Sequence, residues 1–123
     1  MTTGTVVITV EHGVSHNRVT FDFTSTALGA AGDTTEELFN GAIEQVLFSP
    51  GTGDSQPSDD WDATLTDDQG ADMLCGRGAN LDNASITVLR DPFLGILVNS
   101  ALTLAVTNFG DANTGQVVVF IKR

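Results

Sequence analysis

The stretch Arg18-Val-Thr-Phe-Asp-Phe-Thr24 decides the fold. Val19, Phe21 and Phe23 alternate with Arg18, Thr20, Asp22 and Thr24. A period of two places the apolar side chains on one face of a strand and the polar ones on the other. A strand with one wet face belongs to an antiparallel sheet that packs on a second layer.

The same period recurs on either side. Upstream, Val6, Ile8 and Val10 share a face opposite Thr5, Val7 and Thr9. Downstream, Trp61, Ala63 and Leu65 alternate with Asp60, Asp62, Thr64 and Thr66, and Leu102, Leu104 and Val106 with Thr103, Ala105 and Thr107. Trp61 therefore points toward a core. Residues 115–122 are apolar on both faces, with Val117, Val119 and Ile121 opposing Val118 and Phe120. That predicts a central strand, or one covered by a partner. Residues 42–48 read as a strand with Ala42, Glu44, Val46 and Phe48 on one side and Ile43, Gln45 and Leu47 on the other. Residues 73–75 are a short strand at best, and 85–89 a further one. Clusters of Gly, Asn, Asp and Ser separate these runs at 11–17, 27–33, 49–59, 67–72, 76–84 and 110–114. About eight short strands at this spacing predict an all-β fold, an antiparallel β-sandwich. Thr34 and Glu37 have capping-box spacing, but Asn40-Gly41 follows at once, which predicts a loop or a single turn rather than a helix.

A chain of 123 residues has the size of one domain, spanning 1–123, and its 41% hydrophobic content supplies one core. Residues 1–5 are short, polar and Gly-containing, as expected of an N-terminal arm. Sixteen acidic residues face five basic ones, for a formal net charge of -11. The cations are scattered, so the chain repels a phosphate backbone and an anionic lipid surface alike, which argues against nucleic acid and membrane as partners. Cys75 is the only cysteine, so no intrachain disulfide forms, as expected of assembly in a reducing cytoplasm. Met1 is followed by Thr2, Thr3 and Gly4, which is not the start of a signal peptide.

Little in the sequence carries chemistry. His12 and His16 are the only imidazoles, both in the polar turn after the first strand, and no Gly-x-Ser-x-Gly elbow is present. Cys75, in the run Met73-Leu74-Cys75, reads as a small buried hydrophobe. The Asp67-Asp-Gln-Gly-Ala-Asp72 turn lacks EF-hand spacing, so these acids are expected to shape a hairpin turn and keep strand edges soluble rather than hold Ca²⁺. Neither a catalytic residue, a metal ligand nor a cofactor site is assigned, and the chain is not expected to be an enzyme. Interface candidates are Arg77 in the Gly76-Arg-Gly78 turn, Val118 and Phe120 on the two-faced strand, and Phe93, Leu94, Ile96 and Leu97 in the apolar run 92–98. If exposed, that run is an adhesive patch; if buried, it is a strand or crossover closing the core.

One further pattern bears on function. Val19-Thr-Phe-Asp-Phe-Thr-Ser25 is followed by Pro50-Gly-Thr-Gly, then by Trp61-Asp-Ala-Thr-Leu-Thr-Asp-Asp-Gln-Gly-Ala-Asp-Met-Leu74, and then by Gly76-Arg-Gly-Ala-Asn-Leu81. The chain closes with Leu102-Thr-Leu-Ala-Val-Thr-Asn108 and Gly115-Gln-Val-Val-Val-Phe-Ile121. This order resembles small virion structural proteins of tailed bacteriophages, among them capsid cement or decoration proteins. The turn Asp67-Asp-Gln-Gly and Cys75 depart from the commoner pattern. The resemblance implies a jelly-roll-like sandwich and a place in the virion after assembly in the host bacterial cytoplasm. It implies the major capsid protein as partner and a homo-oligomer, dimer or trimer. The acid excess favours the capsid exterior over a surface lining DNA. A head-to-tail junction or tail protein, and a carbohydrate- or receptor-binding module, are the alternatives.

Overall fold

Alternating apolar residues become sheets only when strands pair, and here the pairing is antiparallel throughout the described residues. The computed structural model describes residues 4–57, 59–90 and 96–123. Its strands are β1 (Thr5–His12), β2 (His16–Thr24), β3 (Ala31–Thr34), β4 (Phe39–Pro50), β5 (Asp62–Thr66), β6 (Thr87–Arg90), β7 (Ile96–Ser100), β8 (Thr103–Thr107) and β9 (Thr114–Lys122). A single 3₁₀ turn at Gly53–Ser55 is the only helical element among the described residues.

The strands form two unequal sheets. The large one runs β1-β2-β9-β4-β6, with β7 also paired to β4, and the small one runs β3-β8-β5. Their inner faces meet in one core. Val19, Phe21 and Phe23 of β2, Val117, Val119 and Ile121 of β9, and Ile43, Val46 and Phe48 of β4 face Ala63 and Leu65 of β5 and Leu104 and Val106 of β8. The fold is an all-β antiparallel sandwich, as the alternation predicts, and the two-faced strand β9 is central, between β2 and β4.

At one end of the core Trp61, Phe23, Phe48 and Phe109 pack as tilted and edge-on pairs, with Trp61 and Phe109 centroids 4.8 Å apart at 89°. Such edge-to-face pairs are worth about 0.5–1.5 kcal/mol each beyond their burial. Trp61 is fully buried, and its Nε1 donates to the Asp82 carbonyl oxygen at 3.0 Å.

Several features differ from the expectations. On β4 the register shifts between Ile43 and Gln45, so Ile43 joins Val46 and Phe48 in the core while Gln45 and Leu47 face out. A bulge inserts one residue and inverts the alternation beyond it. Residues 31–34, expected within a loop, form a strand, whereas 96–100 form β7 on β4, the strand alternative for the apolar run. Residues 73–75 are a turn rather than a strand. Cys75 is exposed, not buried: with φ at +53° it lies in a reversing backbone that turns its side chain outward. Of the expected N-terminal arm, residues 1–3 lie outside the described residues, and Thr5 already pairs with Thr24.

The segment 72–81 seals the edge of β5. Met73 N–H donates to the Leu65 carbonyl, Ala63 N–H to the Gly78 carbonyl and Leu81 N–H to the Trp61 carbonyl, each at 2.7 Å. Gly78 is needed for this approach, because a Cβ there would lie 2.1 Å from the Ala63 carbonyl oxygen.

Candidate functional site

The register of the large sheet fixes what its outer face displays. One row across five strands reads Thr9, Thr20, Val118, Leu47, Val88. The next reads Glu11, Arg18, Phe120, Gln45, Arg90, and on the other side lie Val7, Asp22, Gln116 and Ser49. Val118, Leu47 and Val88 are thus adjacent, with Phe120 on the neighbouring row. Val118 is buried, Leu47 and Phe120 are half-buried, and Val88 is 47% exposed.

The charges on this face are balanced. Arg18, Arg90 and Lys122, three of the five cations of the chain, stand with Glu11, Asp22 and Glu44. Arg18 and Glu11 form an ion pair, and Gln116 Nε2 donates to Asp22 Oδ1 at 2.8 Å. Most other acids lie on the small sheet and its loops, including Asp33, Asp54, Asp59, Asp60, Asp62, Asp67, Asp68, Asp72, Asp82 and Asp111. The protein has an acidic body and one wide, nearly neutral face with an apolar centre.

Several of those acids serve the backbone. Asp72 Oδ1 accepts the N–H groups of Leu65 and Leu74 at 3.2 and 3.0 Å, and its Oδ2 accepts Gly76 N–H at 3.0 Å. Asp67 Oδ1 accepts from Gln69 and Ala71, both at 3.0 Å. Asp62 takes Asn80 N–H at 2.9 Å and Asn108 Nδ2 at 2.7 Å. These carboxylates hold turns by satisfying amides that have no ladder partner. Among the described residues, no group of three or more His, Cys, Asp and Glu is placed to hold a metal ion.

Each histidine meets a carboxylate from another element. His12 Nε2 lies 3.2 Å from Glu37 Oε1, and His16 Nε2 lies 2.6 Å from Glu44 Oε1. The hydrogen bond from His16 holds the Glu44 carboxyl below its ordinary range, aided by Lys122 and opposed by partial desolvation. Ser15 Oγ sits 2.9 Å from His16 Nδ1, so hydroxyl, imidazole and carboxylate form a chain. Its surroundings do not suit nucleophilic catalysis. Ser15 is an exposed turn residue adjacent to His16, and the His16 and Glu44 side chains are 39% and 36% exposed. The turn amide of Gly13 is committed to the His16 carbonyl. A water-excluded pocket with free oxyanion donors is what acyl transfer requires. The chain instead pins the start of β2 to β4.

Of the interface candidates, the fold brings Val118, Phe120 and Leu97 onto one face. Leu97 is 80% exposed on β7 opposite Ala42. Arg77 stands apart, in the turn that borders β5. Phe93 and Leu94 lie outside the described residues, as does the side chain of Ile96. Leu47 and Val88 complete the patch and were not singled out by the sequence. The bulge on β4 hid the first, and the second sits on a short strand whose partner only the register reveals. No protein-family model, curated protein or solved structure matches the chain.

Proposed function

We propose that the protein is a non-catalytic virion structural protein of a tailed bacteriophage, a capsid decoration protein that docks on the outer surface of the head through the outer face of its large sheet. The major capsid protein is its partner, and the jelly-roll-like layout belongs to the same reading. The observation that carries the docking is the neutral, apolar-centred patch of Val118, Leu47, Val88 and Phe120 on an otherwise acidic protein. A body of net charge -11 meets another protein most cheaply where its own charges cancel. The placement in a virion rests on the sequence resemblance. Many weakly bound copies arrayed by symmetry would stabilise subunit seams collectively.

Quantitative gel analysis of purified particles tests this reading. A copy number approaching one per major capsid subunit is expected, whereas a handful per particle would move the protein to the head-to-tail junction or the tail. The glycan-binding alternative lacks its usual platform, since Trp61 is enclosed by Phe23, Phe48 and Phe109. Hydrolysis of a simple nitrophenyl ester dependent on Ser15 would overturn the non-catalytic assignment.

A further inference from the structure

β1 ends the large sheet, and among the described residues it pairs with β2 alone. The hairpin turn closes with Gly13 N–H donating to the His16 carbonyl at 2.9 Å. Bonded and non-bonded pairs alternate from that point. Thr5, Val7, Thr9 and Glu11 therefore spend their backbone groups on β2, while Val6, Ile8 and Val10 direct N–H and C=O toward the open side.

The other edges are protected. The edge of β5 is covered by 72–81. β3 has four residues and carries Asp33, and β6 and β7 have four and five residues and divide β4 between them. β1 has eight residues, Thr-Val-Val-Ile-Thr-Val-Glu-His, with no Pro, no Lys and no bulge in its register with β2. Sheets normally blunt an edge of that length unless something pairs with it.

We infer that β1 is a strand-addition edge whose occupant is β1 of a second copy, running antiparallel about Ile8. The sequence complements itself in that register. Thr5 falls opposite Glu11, Val7 opposite Thr9, and Ile8 opposite its own counterpart, so the two Glu11 carboxylates sit at opposite ends. Asp33, Glu36 and Glu37 border the groove beside Ile8 and Val10. The segment of the second strand that falls there is the uncharged 5–8, so no acid is set against the acidic rim. Pairing also extends the half-buried row Val6, Ile8, Val10 into a continuous apolar strip. Two outer faces then join into one broad sheet. This inference goes beyond the virion reading and does not depend on it.

The test is amide hydrogen exchange by NMR on the full chain, with light scattering for mass, across protein and salt concentration. In dilute solution the Val6, Ile8 and Val10 amides are expected to exchange fast while those of Val7, Thr9 and Glu11 are protected. As concentration rises the mass doubles and the first three slow by about tenfold or more. Added salt tightens the dimer, because it screens the repulsion between two acidic bodies. Val10→Pro removes one outward donor and spares the bonds to β2, so it is expected to stay folded and monomeric. A monomer at every concentration, a dimer in which Val6, Ile8 and Val10 remain fast, a dimer loosened by salt, or a folded Val10→Pro that still dimerises would each overturn the inference. The exchange pattern of the unaltered chain decides the matter even if that variant does not fold.

Discussion

The indole Nε1 of Trp61 donates to the carbonyl oxygen of Asp82, 3.0 Å away, and so ties the aromatic end of the core to the loop after the 72–81 segment. Leu81 N–H returns a second bond to the Trp61 carbonyl at 2.7 Å. One residue thus fills the space between the sheets and anchors the covering segment.

Trp61→Phe keeps an aromatic ring but leaves the Asp82 carbonyl without this donor and opens a gap among Phe23, Phe48 and Phe109. A loss of about 1–3 kcal/mol is expected in urea denaturation followed by circular dichroism. In the unaltered protein the tryptophan emission is expected to be that of a buried indole.

Asp72→Ala removes acceptors for three backbone N–H groups at once, and about 2–3 kcal/mol of destabilisation is expected. Asp68→Ala, on the same exposed turn, is expected to stay within about 0.5 kcal/mol. Added Ca²⁺ is expected to leave the melting temperature of the unaltered chain unchanged, since Asp67 and Asp72 are engaged by amides. A calcium-dependent rise in Tm would contradict that assignment.

Gly78→Ala forces a Cβ against the Ala63 carbonyl and pushes the covering segment off the edge of β5. We expect a cost of about 2–4 kcal/mol in the same denaturation assay, with faster amide exchange at Ala63 and Leu81.

Much of this architecture was legible because the strands that build the core alternate cleanly. Val19, Phe21, Phe23, Trp61, Ala63, Leu65, Leu102, Leu104 and Val106 are all buried, as a period of two requires. The failures share a cause, which is tertiary pairing overriding local pattern. Ala31-Gly-Asp-Thr34 has no alternation, and its extended form follows from pairing with β8. In residues 92–98 no alternation marks where β7 begins, so the sequence leaves a patch and a strand equally open. Cys75 looked like core because Met73 and Leu74 are core, yet Asp72 starts a turn that parts it from them. The outer face of the large sheet was half legible: Val118 and Phe120 show as the second face of β9, but rows across strands depend on register, which the sequence does not display.

Acid titration offers a separate check. The folded-state pKa of Glu44 is depressed below its ordinary value near 4.5 by its bond to His16. Its contribution to stability is therefore fully present above that ordinary value and is lost as pH falls through the lower folded value. Glu44→Gln is expected to flatten this limb of the stability–pH curve. An unchanged acid limb would show that the pair does not couple to folding.

The proposed docking through the outer face of the large sheet invites a direct comparison of surfaces. Val88→Asp and Phe120→Ser place polarity at the apolar centre and are expected to reduce particle-bound copies at least about tenfold, with little change in fold. Asp59→Lys, on the acidic body, is expected to bind as the unaltered protein does. Equal loss from both sets would mean that binding follows overall charge rather than this patch.

The position of β9 has a consequence for how the chain is made. Residues 114–122 form the middle of the large sheet, between β2 and β4, both synthesised far earlier. Until those residues leave the ribosome, two long strands lack the strand that joins them, and their facing edges are bare. Completion of the large sheet then waits on a partner distant in sequence, and a product stalled before Gly115 would carry two unpaired strand edges of the kind that favour aggregation.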